Sequence, residues 1–71
     1  MPKIPSLTPK KVIVILKHNG FQLDYVTGSH YVFYHLQEHK TATVPFHNRD
    51  LPKGTLLSIL KQAGIDKDEL S

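Results

Sequence analysis

The stretch F-Q-L-D-Y-V-T-G-S-H-Y-V-F-Y-H-L, residues 21–36, decides how this chain folds. In residues 21–26 apolar and polar side chains alternate, which is the period of a strand with one buried face. A three-residue turn is predicted at 27–29, with Gly28 at its centre, and a second strand is predicted over 30–36. The stretch therefore predicts an antiparallel hairpin whose second strand begins with a histidine.

The hairpin lies between two predicted helices. Thr8 followed by Pro9 is typical of an N-cap and a first helical residue, and it predicts a helix over 9–18. The β-branched residues of this segment also fit a strand, but the cap and the following Gly20 favour a helix. A second helix is predicted over 55–63, where apolar side chains recur at helical spacing before a glycine.

A third strand is predicted over 41–46, and Pro45 restricts it to an edge of the sheet or marks its end. The element order is then α-β-β-β-α, which indicates an α+β fold. Both helices are expected on one face of a three-stranded antiparallel sheet, with the other face open. We expect a single domain over 1–71, with an extended lead-in at 1–7 and a tail or short helix at 66–71.

The turn lengths predict which side chains share a face. A three-residue turn places His30 opposite Val26, and a four-residue loop at 37–40 places it opposite His47. The helix-facing side is then expected to carry one alternating set: Phe21, Leu23, Tyr25, Tyr31, Phe33, Ala42, Val44 and Phe46. The open face is expected to carry the other set: Gln22, Asp24, Val26, His30, Val32, Tyr34, Thr41, Thr43 and His47. His35 falls on the helix-facing side near the end of the sheet, where a structural residue or a residue at the rim of the sheet is expected.

The composition limits the kinds of function that are open to this chain. The 71 residues include no cysteine, which excludes disulfides and thiolate metal sites. Nine basic and six acidic residues give a net charge of +3, which suits an anionic partner such as RNA or an acidic protein. No apolar run approaches the roughly 18 residues that span a membrane. We therefore expect a cytoplasmic protein without a membrane partner.

Five histidines raise the question of a metal site. No two of them have helical spacing on a predicted helix, and His30 and His35 are predicted on opposite faces of one strand. Cysteine is lacking and no carboxylate partner is obvious, so we predict neither a metal site nor a cofactor.

Proton transfer is the chemistry that remains for His30. Ser29 adjoins it, but neighbouring side chains on a strand point apart, so the two do not form a nucleophile–base pair. A histidine, whose ordinary pKa is about 6.5, exchanges protons near neutral pH, and RNA supplies its own nucleophile in the 2′-hydroxyl. An exposed histidine also fits a protein without catalysis. The residues alone therefore leave open an enzyme, an RNA-binding module and a protein-docking module.

Four blocks of the sequence resemble one known family. They are G-F-Q-L at 20–23, G-S-H-Y at 28–31, V-P-F-H-N-R-D-L at 44–51 and K-G-T-L-L-S-I-L-K-Q-A-G-I at 53–65. In this order and spacing they resemble the HicA family, the small toxins of HicA–HicB toxin–antitoxin modules, also called the YcfA-like proteins. The similarity extends from about residue 5 to residue 69, nearly the whole chain.

The resemblance implies both a fold and an activity. The fold would be like that of a double-stranded RNA-binding domain. The activity would be that of an mRNA endonuclease whose catalytic histidine is His30, in a G-S-H motif that Gly28 and Ser29 complete. His47 and Ser29 would have assisting roles at most. The alternative for His47 is a hydrogen-bonded residue at the end of a strand, and the alternative for Ser29 is a turn residue. A HicB-like antitoxin would bind the toxin and cover His30, and no DNA partner is expected for this chain alone.

Three other residues complete the predicted site. Tyr34 is a further assisting candidate, and core packing is its alternative. Lys53 and Arg49 are candidates for contacts with RNA phosphates, although Lys53 is also compatible with a solvated loop charge. The chain departs from the family at 24–27, where members commonly carry basic residues and this sequence has D-Y-V-T. This difference lowers the positive charge beside the proposed site.

Overall fold

The computed structural model describes residues 6–70, apart from the side chains of residues 67 and 70. In chain order the elements are α1 (Pro9–His18), β1 (Phe21–Thr27), β2 (His30–His35), β3 (Lys40–Pro45), α2 (Lys53–Ala63) and a 3₁₀ turn (Lys67–Leu70). The predicted order is confirmed, and the 3₁₀ turn matches the predicted short helix. Of the predicted lead-in, residues 1–5 lie outside the described part, and the Leu7 carbonyl accepts a hydrogen bond from the Leu51 amide at 2.8 Å.

The three strands form one antiparallel sheet in the order β1-β2-β3, and both helices pack on the same face of it. This α+β arrangement is consistent with the fold of a double-stranded RNA-binding domain. The buried cluster draws on both helices, the helix-facing side of the sheet and the segments after β3: Val12, Leu16, Phe21, Phe33, Ala42, Val44, Leu51, Leu56, Ile59, Leu60, Ala63 and Ile65. At the outer edge of β3, the Thr43 amide donates to Gln62 Oε1 of α2 at 3.1 Å.

The helix ends follow the local signals in the sequence. Thr8 Oγ1 accepts from the Lys11 amide at 3.4 Å, as the predicted N-cap requires. Gly20 and Gly64 end the two helices with φ of +89° and +70°, a conformation that costs glycine little. The second helix begins at Lys53, two residues before the predicted start, because Pro52 already serves as its N-cap residue. Within residues 6–70, no helix combines the length and apolar character needed to cross a membrane.

The β1–β2 hairpin corrects two sequence expectations. Its turn has two residues instead of three, since Thr27 pairs with His30, and Gly28 takes a φ of +57°. Leu23 pairs with Phe33 as predicted, but the register shifts at Asp24, and Tyr25 rather than Val26 then shares the face of Val32. The predicted faces of Tyr25 and Val26 were therefore wrong, because a β-bulge inserts one extra residue and exchanges the faces beyond it.

The β2–β3 pairing differs from the prediction by two residues. Phe33 lies opposite Ala42 instead of Val44, and His30 lies opposite Pro45 instead of His47. The connecting loop has four residues as expected but starts one residue earlier, and it closes through a hydrogen bond of 2.8 Å from the His39 amide to the His35 carbonyl. Because the shift is an even number of residues, it leaves every side chain of these strands on its predicted face.

Candidate functional site

The face of the sheet that points away from the helices carries three cross-strand rows of side chains. From the β1–β2 turn outward they are Thr27–His30–Pro45, Tyr25–Val32–Thr43 and Gln22–Tyr34–Thr41. We call these nine residues the open face. None of these nine paired residues is Lys, Arg, Asp or Glu, so their side chains offer imidazole, phenol, hydroxyl and amide groups. A carboxylate lies next to them, because Asp24 is exposed at the bulge beside Tyr25.

His30 is exposed at the start of β2, as predicted. The two-residue turn before it positions its backbone, and the Ser29 carbonyl accepts a hydrogen bond of 2.6 Å from the Phe46 amide. This bond joins the turn to the segment that follows β3. Within residues 6–70, the His30 ring itself takes part in no hydrogen bond or ion pair. An imidazole held in this way is free to meet a ligand and to exchange a proton with it.

His47 does not lie beside His30 on the sheet, because β3 ends at Pro45 and Pro45 occupies the position opposite His30. The His47 ring is exposed, and its Nδ1 accepts a hydrogen bond from the Arg49 amide at 3.2 Å. In the neutral ring the proton is then on Nε2, which can act as a donor. The Phe46–Ser29 hydrogen bond nevertheless brings this segment to the same end of the sheet as His30.

Tyr34 lies on the open face at the other end of β2, four residues from His30 and so about 13 Å away along the strand. Its hydroxyl is 2.9 Å from His39 Nδ1. Sequence analysis did not single out His39, and a side chain that meets Tyr34 across the β2–β3 loop leaves no local signal in the sequence. Ser29 contributes its backbone carbonyl to the contacts described above, and within residues 6–70 its hydroxyl makes no hydrogen bond.

Cationic side chains lie near the His30 end of the sheet. Arg49 lines a depression in the loop after β3, together with His47, Asn48, Asp50 and Pro52. A neighbouring apolar depression brings Lys10 of α1 to the same loop. Sequence analysis missed Lys10, which is 37 positions before His47 (47 − 10), because only the fold brings these residues together. Lys53 is exposed at the start of α2 and lines neither depression.

His35, at the far end of β2, has the surroundings of a structural residue. It is 8% exposed, and its ring meets that of Phe21 edge-on at a centroid distance of 5.2 Å. Its Nδ1 accepts from the Glu38 amide at 3.1 Å, and its Nε2 is 3.6 Å from the Glu38 carboxylate. This outcome confirms the structural role expected for His35. In the part of the chain that the structure describes, no group of three or more histidine, cysteine or acidic residues is arranged to hold a metal ion.

The site therefore combines one free imidazole, a second imidazole with a directed N–H, and nearby cations. A neutral imidazole can remove a proton from a hydroxyl group, and cationic or N–H donors can stabilise an anion that forms beside it. The open face next to the free imidazole adds aromatic rings and uncharged hydrogen-bonding groups. These are the groups that proteins use on RNA bases and on other polypeptides alike.

Comparison with known proteins assigns the chain to one group. The sequence model of a family described as the HicA toxin of bacterial toxin–antitoxin systems matches residues 9–65. This match extends from the first residue of α1 to just beyond the end of α2 and includes every strand. No curated protein matches the chain.

Proposed function

Since the chain belongs to the HicA toxin family, the toxins of bacterial toxin–antitoxin pairs, we propose that it is an endoribonuclease that cleaves mRNA, with His30 as its catalytic residue. The observation that carries the proposal is the free, exposed His30 ring at the end of the open face. Its position in the G-S-H motif and the cation Arg49 of the neighbouring loop support the same role.

The cleavage proceeds by transfer within the RNA. The 2′-oxygen forms a bond to the adjacent phosphorus, while the bond from phosphorus to the 5′-oxygen of the next nucleotide breaks. His30 either removes the proton of the 2′-hydroxyl or protonates the departing 5′-oxygen. In the first case water or a second donor protonates the 5′-oxygen, and in the second case water accepts the 2′-hydroxyl proton. One fragment ends in a 2′,3′-cyclic phosphate and the other begins with a 5′-hydroxyl. The step consumes no oxidant and no water.

The neighbouring groups have supporting roles in this proposal. The Nε2–H of His47 and the guanidinium of Arg49 donate to the phosphate oxygens, where negative charge accumulates in the transition state. Lys53 contributes a more distant phosphate contact, and Ser29 and Gly28 hold the turn that presents His30. Tyr34 lies about 13 Å from His30 along the strand, which is too far for it to assist at the reacting phosphate.

The partner that neutralises the toxin is a HicB-like antitoxin in this proposal. Covering His30 would suffice to block cleavage, because the ring is exposed and the proposed chemistry depends on it. The substrate is mRNA, which places the activity in the cytoplasm.

The test compares His30→Ala with His18→Ala, since His18 is a second exposed histidine, located at the end of α1. Purified variants are incubated with a defined RNA, and fragments are examined for 5′-hydroxyl ends. We expect His30→Ala to lower the cleavage rate about 10²- to 10⁴-fold and to abolish growth inhibition, while His18→Ala acts as the parent protein. Both variants should keep the circular dichroism spectrum of the parent.

Two results would contradict the proposal. Undiminished cleavage by His30→Ala would remove this residue from the mechanism. Tight binding of duplex RNA without any cleavage by the parent protein, with a steep dependence on salt, would instead identify a non-catalytic RNA-binding module. The mechanism uses no metal ion, so full activity in EDTA is expected, and loss of activity there would point to metal-assisted cleavage.

A further inference from the structure

The β-bulge at Asp24 places an aromatic ring where simple alternation would not. Because the register shifts between Leu23 and Tyr25, Tyr25 shares the face of Val32 and lies in the middle row of the open face. Its side chain is 55% exposed, although a tyrosine on a strand usually packs against neighbours. The bulge thus presents a large ring to solvent, and such features often re-aim a side chain beside a functional site.

Tyr34 provides a second ring on the same face. It lies in the row beyond Tyr25, is half-buried, and its hydroxyl contacts His39 Nδ1 at 2.9 Å. His39 holds this position with a φ of +55°, a conformation that is unfavourable for residues other than glycine. The contact restricts the orientation of the Tyr34 ring and leaves the ring itself on the open face.

The spacing of the rings selects the kind of RNA that can use them. Tyr25 is diagonal to Tyr34 on one side and to His30 on the other, and such diagonal neighbours are about 7–8 Å apart. Nucleotides stacked in a duplex are only about 3.4 Å apart along the axis, and their faces are covered by one another. Only an unpaired strand with splayed bases can place one base on each ring.

The chemistry of the open face also favours bases over phosphates or a charged protein surface. The nine residues carry no full charge, and Gln22, Thr27 and Thr41 offer uncharged donors and acceptors around the two rings. The exposed Asp24 at the bulge beside Tyr25 adds a carboxylate, which repels phosphates. Base edges are bound by uncharged donors and acceptors, whereas phosphates are bound by cations. The cations of the site, Arg49 in the loop after β3 and Lys10 of α1, lie beyond His30. The face is continuous with His30, so a strand lying on it would reach the proposed reacting phosphate.

From these observations, and resting on the proposed function, we infer that Tyr25 and Tyr34 form a stacking platform that binds unpaired RNA bases beside the scissile phosphate. The base on Tyr25 is the nearer one, since this ring is diagonal to His30. The two tyrosines are binding and specificity residues, and they take no part in proton transfer. The platform makes the toxin selective for single-stranded stretches of its substrate.

The experiment measures RNA affinity in the His30→Ala background, where the RNA stays intact. A fluorescently labelled single-stranded oligonucleotide and the same sequence annealed in a duplex are titrated by anisotropy. The variants are Tyr25→Ala, which removes the ring, and Tyr25→Phe, which keeps it. Leu23→Ala is the matched control, because Leu23 lies on the same strand, is 47% exposed and faces the opposite side.

We expect Tyr25→Ala to weaken single-strand binding about 5- to 100-fold, the usual contribution of one base–aromatic stack. Tyr25→Phe and Leu23→Ala should bind as the parent does. Tyr34→Ala should also weaken binding, while Tyr34→Phe keeps most of it, because the ring and not the hydroxyl makes the stack. The parent should prefer the single strand to the duplex.

Three outcomes would overturn the inference. These are unchanged affinity in Tyr25→Ala, an equal loss in Leu23→Ala, and tighter binding of the duplex. If Tyr25→Ala kept its RNA affinity but lost binding to the antitoxin, the face would be a protein-docking surface instead. Continued cleavage by His30→Ala would defeat the proposed catalytic role and is a separate result, since the affinity measurements test the platform alone.

Discussion

Strand β2 carries a histidine at each end, and the two rings have opposite surroundings. His35 is 8% exposed and is fixed by Phe21 and by two contacts with Glu38. His30 is exposed, and within residues 6–70 its ring has no hydrogen-bonding or ionic partner. The two positions are an odd number of residues apart, so their side chains lie on opposite faces of the sheet.

Within one six-residue strand, histidine therefore serves two purposes: one ring stabilises the fold, and the other is available to a ligand. The His35 ring is packed on the helix-facing side of the sheet. Its Nδ1 accepts a hydrogen bond and its Nε2 contacts a carboxylate, so both nitrogens are occupied. The His30 ring lies on the open face and its nitrogens remain available, as proton transfer to a ligand requires. An exposed histidine is not by itself evidence of catalysis. A catalytic histidine must nevertheless be accessible to its ligand, and His30 is accessible because it lies on the face opposite the core.

Replacing the packed ring should have the largest effect on folding. We expect His35→Ala to lower the free energy of unfolding by about 2–3 kcal/mol, because it removes the edge contact with Phe21 and the acceptor of the Glu38 amide. Urea denaturation followed by circular dichroism measures this loss. A change below about 0.5 kcal/mol would mean that the two ends of β2 do not differ in structural importance.

The glycines next to the two histidines sharpen the same contrast. A Cβ at Gly20 would lie 2.7 Å from His35 Nε2, and the backbone there has a φ of +89°. A Cβ at Gly28 meets nothing within 4 Å, so only the strain of its φ of +57° opposes it. We expect Gly20→Ala to cost about 2 kcal/mol and Gly28→Ala about 1 kcal/mol of unfolding free energy. If the two variants lost the same free energy of unfolding, the contact between the new Cβ and the His35 ring would not contribute to the cost of Gly20→Ala.

The carboxylate of Glu38 should matter much less than its backbone amide. It contacts Lys40 Nζ at 3.2 Å and His35 Nε2 at 3.6 Å, but its side chain is 57% exposed. Exposed ion pairs contribute little, and the amide that bonds His35 is kept in Glu38→Gln. We expect this variant to lose less than about 0.5 kcal/mol in the same denaturation assay. A loss as large as that of His35→Ala would assign the stability to the ion pair.

The open-face histidine should have the smallest effect on folding. We expect His30→Ala to change the free energy of unfolding by less than about 0.5 kcal/mol, since the residue is exposed and, within residues 6–70, its ring makes no hydrogen bond or ion pair that the substitution would remove. Calorimetry or urea denaturation of this variant beside His35→Ala completes the comparison. Strong destabilisation by His30→Ala would show that its ring supports the hairpin and would confound any loss of activity.

The sequence predicts those features that depend on neighbours along the chain. Thr8 and Pro9 mark the start of α1, and Gly64 marks the end of α2, because a cap acts within one helical turn. The structural role of His35 was also predictable, from its face alone. The sequence likewise contains the order of elements and the antiparallel sheet, since both follow from short segments of clear periodicity.

The features that were missed depend on contacts across the fold. The bulge at Asp24 carries no glycine or proline signal, so Tyr25 was predicted on the wrong face. The approach of Lys10 to the loop after β3 likewise depends on how α1 packs. The predicted pairing of β2 with β3 differs from the observed one by two residues, because a four-residue loop can start at either of two neighbouring positions. The chemical role of His30 stays a prediction until activity is measured.

The hydrogen bond from the Thr43 amide to Gln62 also bears on self-association through the sheet. A row of unpaired amides on an outer strand is a template on which another polypeptide can add a strand. Here Gln62 of α2 already accepts a hydrogen bond from the Thr43 amide. A second polypeptide would have to displace this glutamine before it could pair with β3. Such a displacement forfeits about 1 kcal/mol, and this cost helps to keep a toxin with a small core from polymerising along that edge.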